Sequence, residues 1–125
     1  MDILVLAKRI GSLLVETDDL TNQLAEAIDR QDEVSIKLIT AMRYEPIQRL
    51  AVADQAIREH LSDLGDGEDG VRIRAILNGD ASAAQNETEQ LLATQAASNL
   101  RQHKKLMEKD KVVNQKITRE KSIYQ

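Results

Sequence analysis

Few side chains of this sequence have the types and spacings that carry out acid–base, nucleophilic or metal chemistry. The two histidines, His60 and His103, lie on different predicted helices and outside any Glu-x-x-His or His-Glu-x-x-His arrangement, so helical di-iron and zinc-protease sites have no support. Asp18 and Asp19 are adjacent carboxylates, but neighbouring side chains of a helix point in different directions. The chain has no cysteine, which excludes thiolate ligands, a cysteine nucleophile and disulfide bonds.

The segment Gly65–Gly70 combines three glycines with three carboxylates, the side chains that a calcium loop would need. It is too short for an EF-hand loop and has no ligand at the twelfth position. We interpret it as a turn, because glycine ends helices and aspartate favours turns. The sequence has neither a Gly-x-x-x-x-Gly-Lys-Ser/Thr phosphate loop nor a Gly-x-Ser-x-Gly nucleophile elbow. We therefore expect no enzymatic activity, no cofactor and no metal.

The composition of the 125 residues favours a single helical domain over residues 1–125. Hydrophobic residues make up 42% of the chain but aromatic residues only 2%, and an aliphatic core suits interdigitating helices better than a sheet. No apolar run is long enough for a transmembrane helix, and the basic residues near the start follow the apolar run, unlike those of a signal peptide. We expect a cytoplasmic protein without membrane insertion.

Apolar residues recur in a heptad pattern from Ile3 onward, which is typical of a helix that packs on partner helices. Ten of the twelve core positions are apolar, and the full set is Ile3, Leu6, Ile10, Leu13, Thr17, Leu20, Leu24, Ala27, Gln31, Val34, Leu38 and Ala41. The register passes through the polar stretch 29–33 without a phase jump, so the pattern predicts one long helix over residues 3–43. The sequence leaves open whether the first break lies near Asp32, which could cap a new helix, or near Pro46.

Proline and the turn residues divide the rest of the chain. Pro46 fits the first turn of a second helix over residues 46–64, and a short helix follows over residues 71–78. Ser82 and Gln85 have the spacing of a capping box, which predicts the start of a last helix over residues 82–121. Together these elements predict an all-α fold, an antiparallel bundle of about three long helices with coiled-coil-like packing.

The last helix has the poorest core stripe, because polar residues interrupt it. A partner could complete this face by helix-in-groove binding or by coiled-coil formation. The candidate partner-binding residues are Leu100, His103, Leu106, Met107, Asp110, Val113, Asn114 and Ile117.

Charge is distributed unevenly along the chain. Residues 100–125 include eight basic and three acidic residues, whereas the rest of the chain has a net charge of −9. This asymmetry indicates either internal packing of a basic helix on acidic helices or a basic C-terminal helix that binds nucleic acid or an acidic partner. We expect a protein partner in preference to nucleic acid, since the whole chain has a net charge of −4 and lacks aromatic residues for base stacking.

The segment 13–50 has a pattern of paired leucines, then a glutamate, and then spaced leucines with acidic and basic residues between them. It is carried by Leu13, Leu14, Glu16, Leu20, Leu24, Ala27, Ile28, Asp32, Leu38, Arg43, Ile47 and Leu50. With a long polar last helix that has Asn114 late in it, this pattern resembles the FlgN-type flagellar export chaperones. The resemblance implies a cytosolic chaperone that holds hook–filament junction subunits for export and binds them with its last helix. Pro46, Gly65–Gly70 and the Lys-rich tail that ends at Gln125 are not part of the resemblance.

A structural coiled-coil module that self-associates into a homo-oligomer is the alternative. A self-assembling rod should use its cleanest seam between chains, whereas a chaperone should bury that seam and leave its last helix for the client. In a chaperone, Leu20→Asp should therefore unfold the domain, and Met107→Asp should leave it folded but impair binding.

Overall fold

The structure, a computed structural model, describes residues 2–124 and the side chains of residues 2–119. It contains α1 (Ile3–Asp29), α2 (Glu33–Leu64), α3 (Glu68–Leu77), a short 3-10 helix (Ala81–Ala83) and α4 (Glu87–Tyr124). No strand occurs over this range, so the all-α prediction is confirmed, and the four α-helices pack against one another. The side chain of Lys121 and the rest of the Lys-rich tail lie outside the described side chains.

Helix α1 ends at Asp29, so the prediction of one helix over residues 3–43 is wrong. Gln31 has a left-handed backbone with a φ of 57°, and Asp32 then caps α2. Its carboxylate accepts hydrogen bonds from the Ser35 hydroxyl at 2.6 Å and the Ser35 N–H at 3.1 Å, which hold the pKa of Asp32 below its ordinary value. This cap favours a new helix start, which the unbroken heptad register does not reveal.

The break places the two halves of the heptad seam in different environments. Leu20 and Leu24, before the break, are buried, whereas Val34 is 79% exposed and Leu38 59% exposed after it. Because α2 starts anew after the break and packs on α1, a different face of α2, which includes Ile39, lies in the core. The heptad register therefore continues into α2, although the residues at its core positions there are no longer all buried.

The predicted helix boundary at Pro46 is also wrong, because α2 runs through it. Proline lacks the N–H that would bond to the carbonyl four residues earlier, so a break was the natural expectation. Pro46 is buried, and so are Ile39 and Ala53 on either side of it. Packing of both halves of α2 on α1 overrides the local preference.

Helix α1 is central, because it packs along both α2 and α4. One apolar cluster contains Leu20, Leu24, Ala27, Ile28, Ile39 and Val113, and the other contains Ile3, Ala7, Ile76, Leu92 and Ala93. Thr17 lies between the α1 residues of these two clusters, and Thr21 lies between Leu20 and Leu24 of the first one. Both threonines are buried, but their hydroxyls donate to the carbonyls of Leu13 and Thr17 at 2.8 and 2.7 Å. Their burial therefore leaves no unsatisfied hydroxyl group.

Polar contacts fix the register of α4 on α1. The pairs are Asn99 with the Ala7 carbonyl (2.8 Å), Lys109 with Asp18 (2.8 Å) and Lys116 with Asp29 (2.7 Å). The residue numbers rise together, so α1 and α4 run in the same direction. Two lysines of the basic C-terminal region thus neutralise acidic residues of α1, as one reading of the charge asymmetry proposed.

Helix α4 begins at Glu87 instead of Ser82, and the predicted capping box is wrong. The side-chain oxygen of Asn86 accepts from the Glu89 N–H at 2.9 Å, and the Glu89 carboxylate accepts from the Asn86 amide at 3.0 Å and the Gln85 N–H at 3.2 Å. Ser82 belongs to the short 3-10 helix. Both segments fit the capping pattern, and the structure uses the second one.

Glu89 is buried and receives hydrogen bonds from Arg72 at 2.8 and 3.2 Å, which hold its pKa below the ordinary value. A carboxyl whose pKa is lower in the folded state stabilises the fold at neutral pH and loses this contribution as pH falls below the ordinary glutamate value of 4.5. We expect Glu89→Gln to lower the free energy of unfolding at neutral pH and to approach the wild type in acid, measured by urea unfolding across pH. The exposed Glu87 lies in the same turn, and Glu87→Gln should change little; an equal loss in both variants would contradict this role.

Candidate protein-binding groove

A groove with a volume of about 610 Å³ runs along one side of the bundle between α2 and α4. We call it the α2–α4 groove. Helix α1 supplies its floor with Ala7, Ile10 and Leu14. Its walls are Leu50, Ala51, Asp54, Ile57, Arg58 and Leu61 from α2 and Ala96, Asn99, Leu100 and His103 from α4. The lining is therefore mostly apolar, with polar groups along the rim.

The groove exists because α2 and α4 both pack on α1 while their backbones stay apart from each other. Within residues 2–124, no Cα atom of α2 lies within 8 Å of a Cα atom of α4. The Arg43 guanidinium bridges the gap by donating to Asp110 at 2.6 Å, and Ile39 and Val113 close the core near this level. Beyond this bridge the two helices leave Ile10 of α1 only half-buried. The groove occupies the position that a further helix would take in a bundle.

Helix α3 closes one end of the groove with Leu77, followed by Asn78. Arg74 holds α3 in place by donating to the carbonyls of Leu61 at 2.9 Å and Gly65 at 2.7 Å. These carbonyls belong to the C-terminal end of α2, and the Leu61 carbonyl also accepts from the Gly65 N–H at 3.2 Å. Helix α3 thus begins at Glu68, three residues before its predicted start, and the Gly65–Gly70 segment is partly helical.

Farther along α4, starting beside His103 of the groove, lies a shallow surface depression that, within residues 2–119, is lined by α4 alone, with Lys104, Met107, Lys111 and Asn114 among its residues. We call this region the α4 extension of the groove. Leu100, His103, Met107 and Asn114 follow one another at spacings of three, four and seven residues, so they lie on one helix face. All four are exposed, with values of 47% for Leu100 and 58% for Met107.

The structure divides the eight predicted partner-binding residues into two sets. Leu100, His103, Met107 and Asn114 form the exposed set on the groove and its extension. The others form the inward set: Leu106 and Val113 are 7% and 3% exposed, Ile117 packs against a core cluster, and Asp110, which also borders the extension, binds Arg43. The inward set attaches α4 to the bundle. The predicted stripe was mixed because it combined two adjacent faces of one helix.

Sequence reasoning missed the α2 wall, since all eight predicted partner-binding residues lie on the last helix. Leu50 and Leu61 are only half-buried, and both line the groove. Ile47 and Tyr44, four and seven residues before Ala51, are 41% and 67% exposed on the same side. These residues were the available signal, because they make the apolar face of α2 wider than a single contact with α1 requires.

The described residues include no group of three or more histidine or acidic residues arranged to hold a metal ion. Over the same range, no helix has both the length and the apolarity that crossing a membrane requires. A second depression, of about 660 Å³, lies between α1 and α2 and is lined in part by Val52. No protein-family model, no curated protein and no solved structure matches this chain.

Proposed function

We propose that this chain is a non-enzymatic protein-binding module that holds an amphipathic helix of a client protein in the α2–α4 groove. The observation that carries the proposal is the separation of α2 from α4, which leaves an apolar groove beside α1. A helix in this position would cover the half-buried Ile10 and Leu50 and the exposed Leu100 and Met107. Such burial is the usual source of affinity in helix-in-groove recognition.

The shape and polarity of the groove favour a helix over a small polar ligand. The α2 wall from Leu50 to Leu61 spans about 17 Å, or about three helical turns. Asp54 and Arg58 on its rim pair with each other at 3.0 Å. Because this pair is internally compensated, the apolar lining offers the main contact surface.

A more specific form of the proposal follows from the resemblance to FlgN-type chaperones. In this form the three long helices make an antiparallel bundle in which α2 runs opposite to α1 and α4, and the client is a hook–filament junction subunit in the cytoplasm. The exposed set on α4 supports this form, because the resemblance places client binding on the last helix. The burial of Leu20 and Leu24 inside the bundle supports a chaperone with an internal first seam.

We expect the double variant Leu100→Asp, Met107→Asp to bind purified hook–filament junction proteins at least about tenfold more weakly than the wild type. Two carboxylates would have to lose water in an apolar contact. Both side chains are about half exposed, so circular dichroism should show an intact fold. Isothermal titration calorimetry measures the affinity.

Val52→Asp is the matched control, because Val52 is 70% exposed on α2 but lines the second depression. It should bind like the wild type. Equal affinity of all three proteins would place the client outside the groove, and no binding by the wild type would remove the flagellar client.

Self-association is a second candidate function, favoured by the exposed continuation of the heptad seam on α2. Val34 and Leu38 of this seam are 79% and 59% exposed, and Met42, next to the seam position Ala41, is 48% exposed. A second copy could cover this stripe by coiled-coil packing. Sedimentation equilibrium tests it: an oligomer that Val34→Asp dissociates would favour the structural module, and a wild-type monomer would remove it.

A further inference from the structure

We infer that the client helix carries acidic side chains along the edge that faces α4, where Lys104 and Lys111 would meet them. This inference rests on the proposed function, because it specifies the occupant of the α2–α4 groove and its extension. It is carried by the distribution of compensated and uncompensated charge around the groove.

Four lysines of α4 form two pairs that lie in different surroundings. Lys109 and Lys116 face α1 and are bound by Asp18 and Asp29 at 2.8 and 2.7 Å. Lys104 lies on the groove side beside Met107, is exposed, and makes no ion pair with any side chain from residues 2–119. The same holds for Lys111. Ion pairs with α1 therefore neutralise the lysines on only one side of α4.

The other charges near the groove are largely compensated. Asp54 binds Arg58 at 3.0 Å, and Asp110 binds Arg43 at 2.6 Å. The α4 extension adds Arg119 and one acidic side chain without an ion pair in the described region, Glu108. Basic residues thus outnumber acidic ones among the uncompensated charges. A client edge with carboxylates would complement this surface, and an edge with lysines would be repelled.

The spacing of the two lysines sets the expected spacing in the client. Lys104 and Lys111 are seven residues apart, which is about 10.5 Å along the helix. Leu100 and Met107, also seven residues apart, run beside them. A client helix that follows this edge would place carboxylates about two turns apart, next to an apolar stripe of the same period.

The test uses three synthetic amphipathic peptides with one shared Leu/Ile/Ala stripe and polar edges of glutamate, glutamine or lysine. Fluorescence anisotropy with the full-length chain should rank them glutamate, glutamine, lysine, with at least a tenfold difference between the first and the last at low salt. The difference should shrink as salt rises, because exposed charges are screened over about 10 Å at 0.1 M.

Charge-reversed variants test whether Lys104 and Lys111 cause this affinity ranking. Lys104→Glu with Lys111→Glu should weaken the glutamate peptide at least tenfold and strengthen the lysine peptide. Arg101→Glu with Lys105→Glu is the matched control: it makes the same charge change on exposed α4 residues that line neither the groove nor its extension. This control should change the ranking little.

Each other outcome overturns a defined part of the inference. The glutamate and glutamine peptides could bind equally, with the double variant Leu100→Asp, Met107→Asp weakening both. The inferred acidic edge would then be wrong, but the groove would still be the binding site for a helix. If no peptide binds, the groove is not a helix site and the proposed function fails with the inference. If a DNA duplex binds more tightly than the glutamate peptide through Lys104 and Lys111, the surface recognises nucleic acid instead.

Discussion

Leu20→Asp should leave the chain largely unfolded at 25 °C. Leu20 is 8% exposed in a cluster with Leu24, Ile28, Ile39 and Val113, contributed by all three long helices. An aspartate there either buries a carboxylate without a partner or forces the helices apart. We expect a loss of at least about 4 kcal/mol, which approaches the whole stability of a typical small domain. Thermal and urea unfolding followed by circular dichroism measure it.

Val34→Asp is a demanding control, because Val34 and Leu20 occupy the same position of the heptad. The sequence pattern alone assigns both residues to the seam, whereas Val34 is 79% exposed in the structure. Its replacement should change the free energy of unfolding by less than about 0.5 kcal/mol in a monomer. Similar unfolding of both variants would mean that the seam is continuous after all, and that the break at residues 30–32 is absent in solution.

Gly70→Ala should destabilise the protein, although helix propensity predicts the opposite. Gly70 lies in the first turn of α3, where alanine would normally gain about 1 kcal/mol over glycine. An added Cβ would collide with the backbone carbonyl of Gly65, the same group to which Arg74 donates. Because this neighbour is backbone at the end of α2, relief requires α3 to move away. We expect a net loss of about 1–3 kcal/mol, in the range of overpacked sites.

Gly67→Ser provides the comparison, since a Cβ at Gly67 meets no atom within 4 Å. Gly67 is the N-cap of α3, a position that serine favours, so this variant should be neutral or slightly more stable in urea unfolding. A stabilised Gly70→Ala would show that α3 does not rest closely on the end of α2. Weaker peptide binding by Gly70→Ala is also expected, because Leu77 of α3 closes the groove.

Much of the helical content was predictable, because it depends on local properties of the chain. The aliphatic composition and the heptad of Ile3, Leu6, Leu13, Leu20 and Leu24 identify α1 and its buried face, and the structure buries all five residues. Four of the eight predicted partner-binding residues lie exposed along the groove side of α4. Leu106 and Val113 do not, because a helical period cannot distinguish a face that meets a partner from a face that meets α1.

The sequence offered both Asp32 and Pro46 as positions for the first helix break, and it could not decide between them. At each position, a local preference opposes a longer-range pattern. At Asp32 the local cap starts a new helix although the heptad is unbroken, whereas at Pro46 packing on α1 keeps the helix intact despite the proline. Similarly, Asn86 and Ser82 both offer a capping pattern, and the Glu89 contact with Arg72 of α3 favours the later one.

By itself, the sequence determined an all-helical chain, a buried first seam and a basic last helix, because periodicity, composition and charge are properties of one segment at a time. Only the tertiary structure decided that α2 and α4 stand apart on α1. It also decided that Lys109 and Lys116 are neutralised internally, while Lys104 and Lys111 make no ion pair with the side chains of residues 2–119. The physical reason is that a groove and its charge are relations between helices. They depend on the distance between α2 and α4 when both pack on α1, and the sequence pattern of one helix carries no information about that distance.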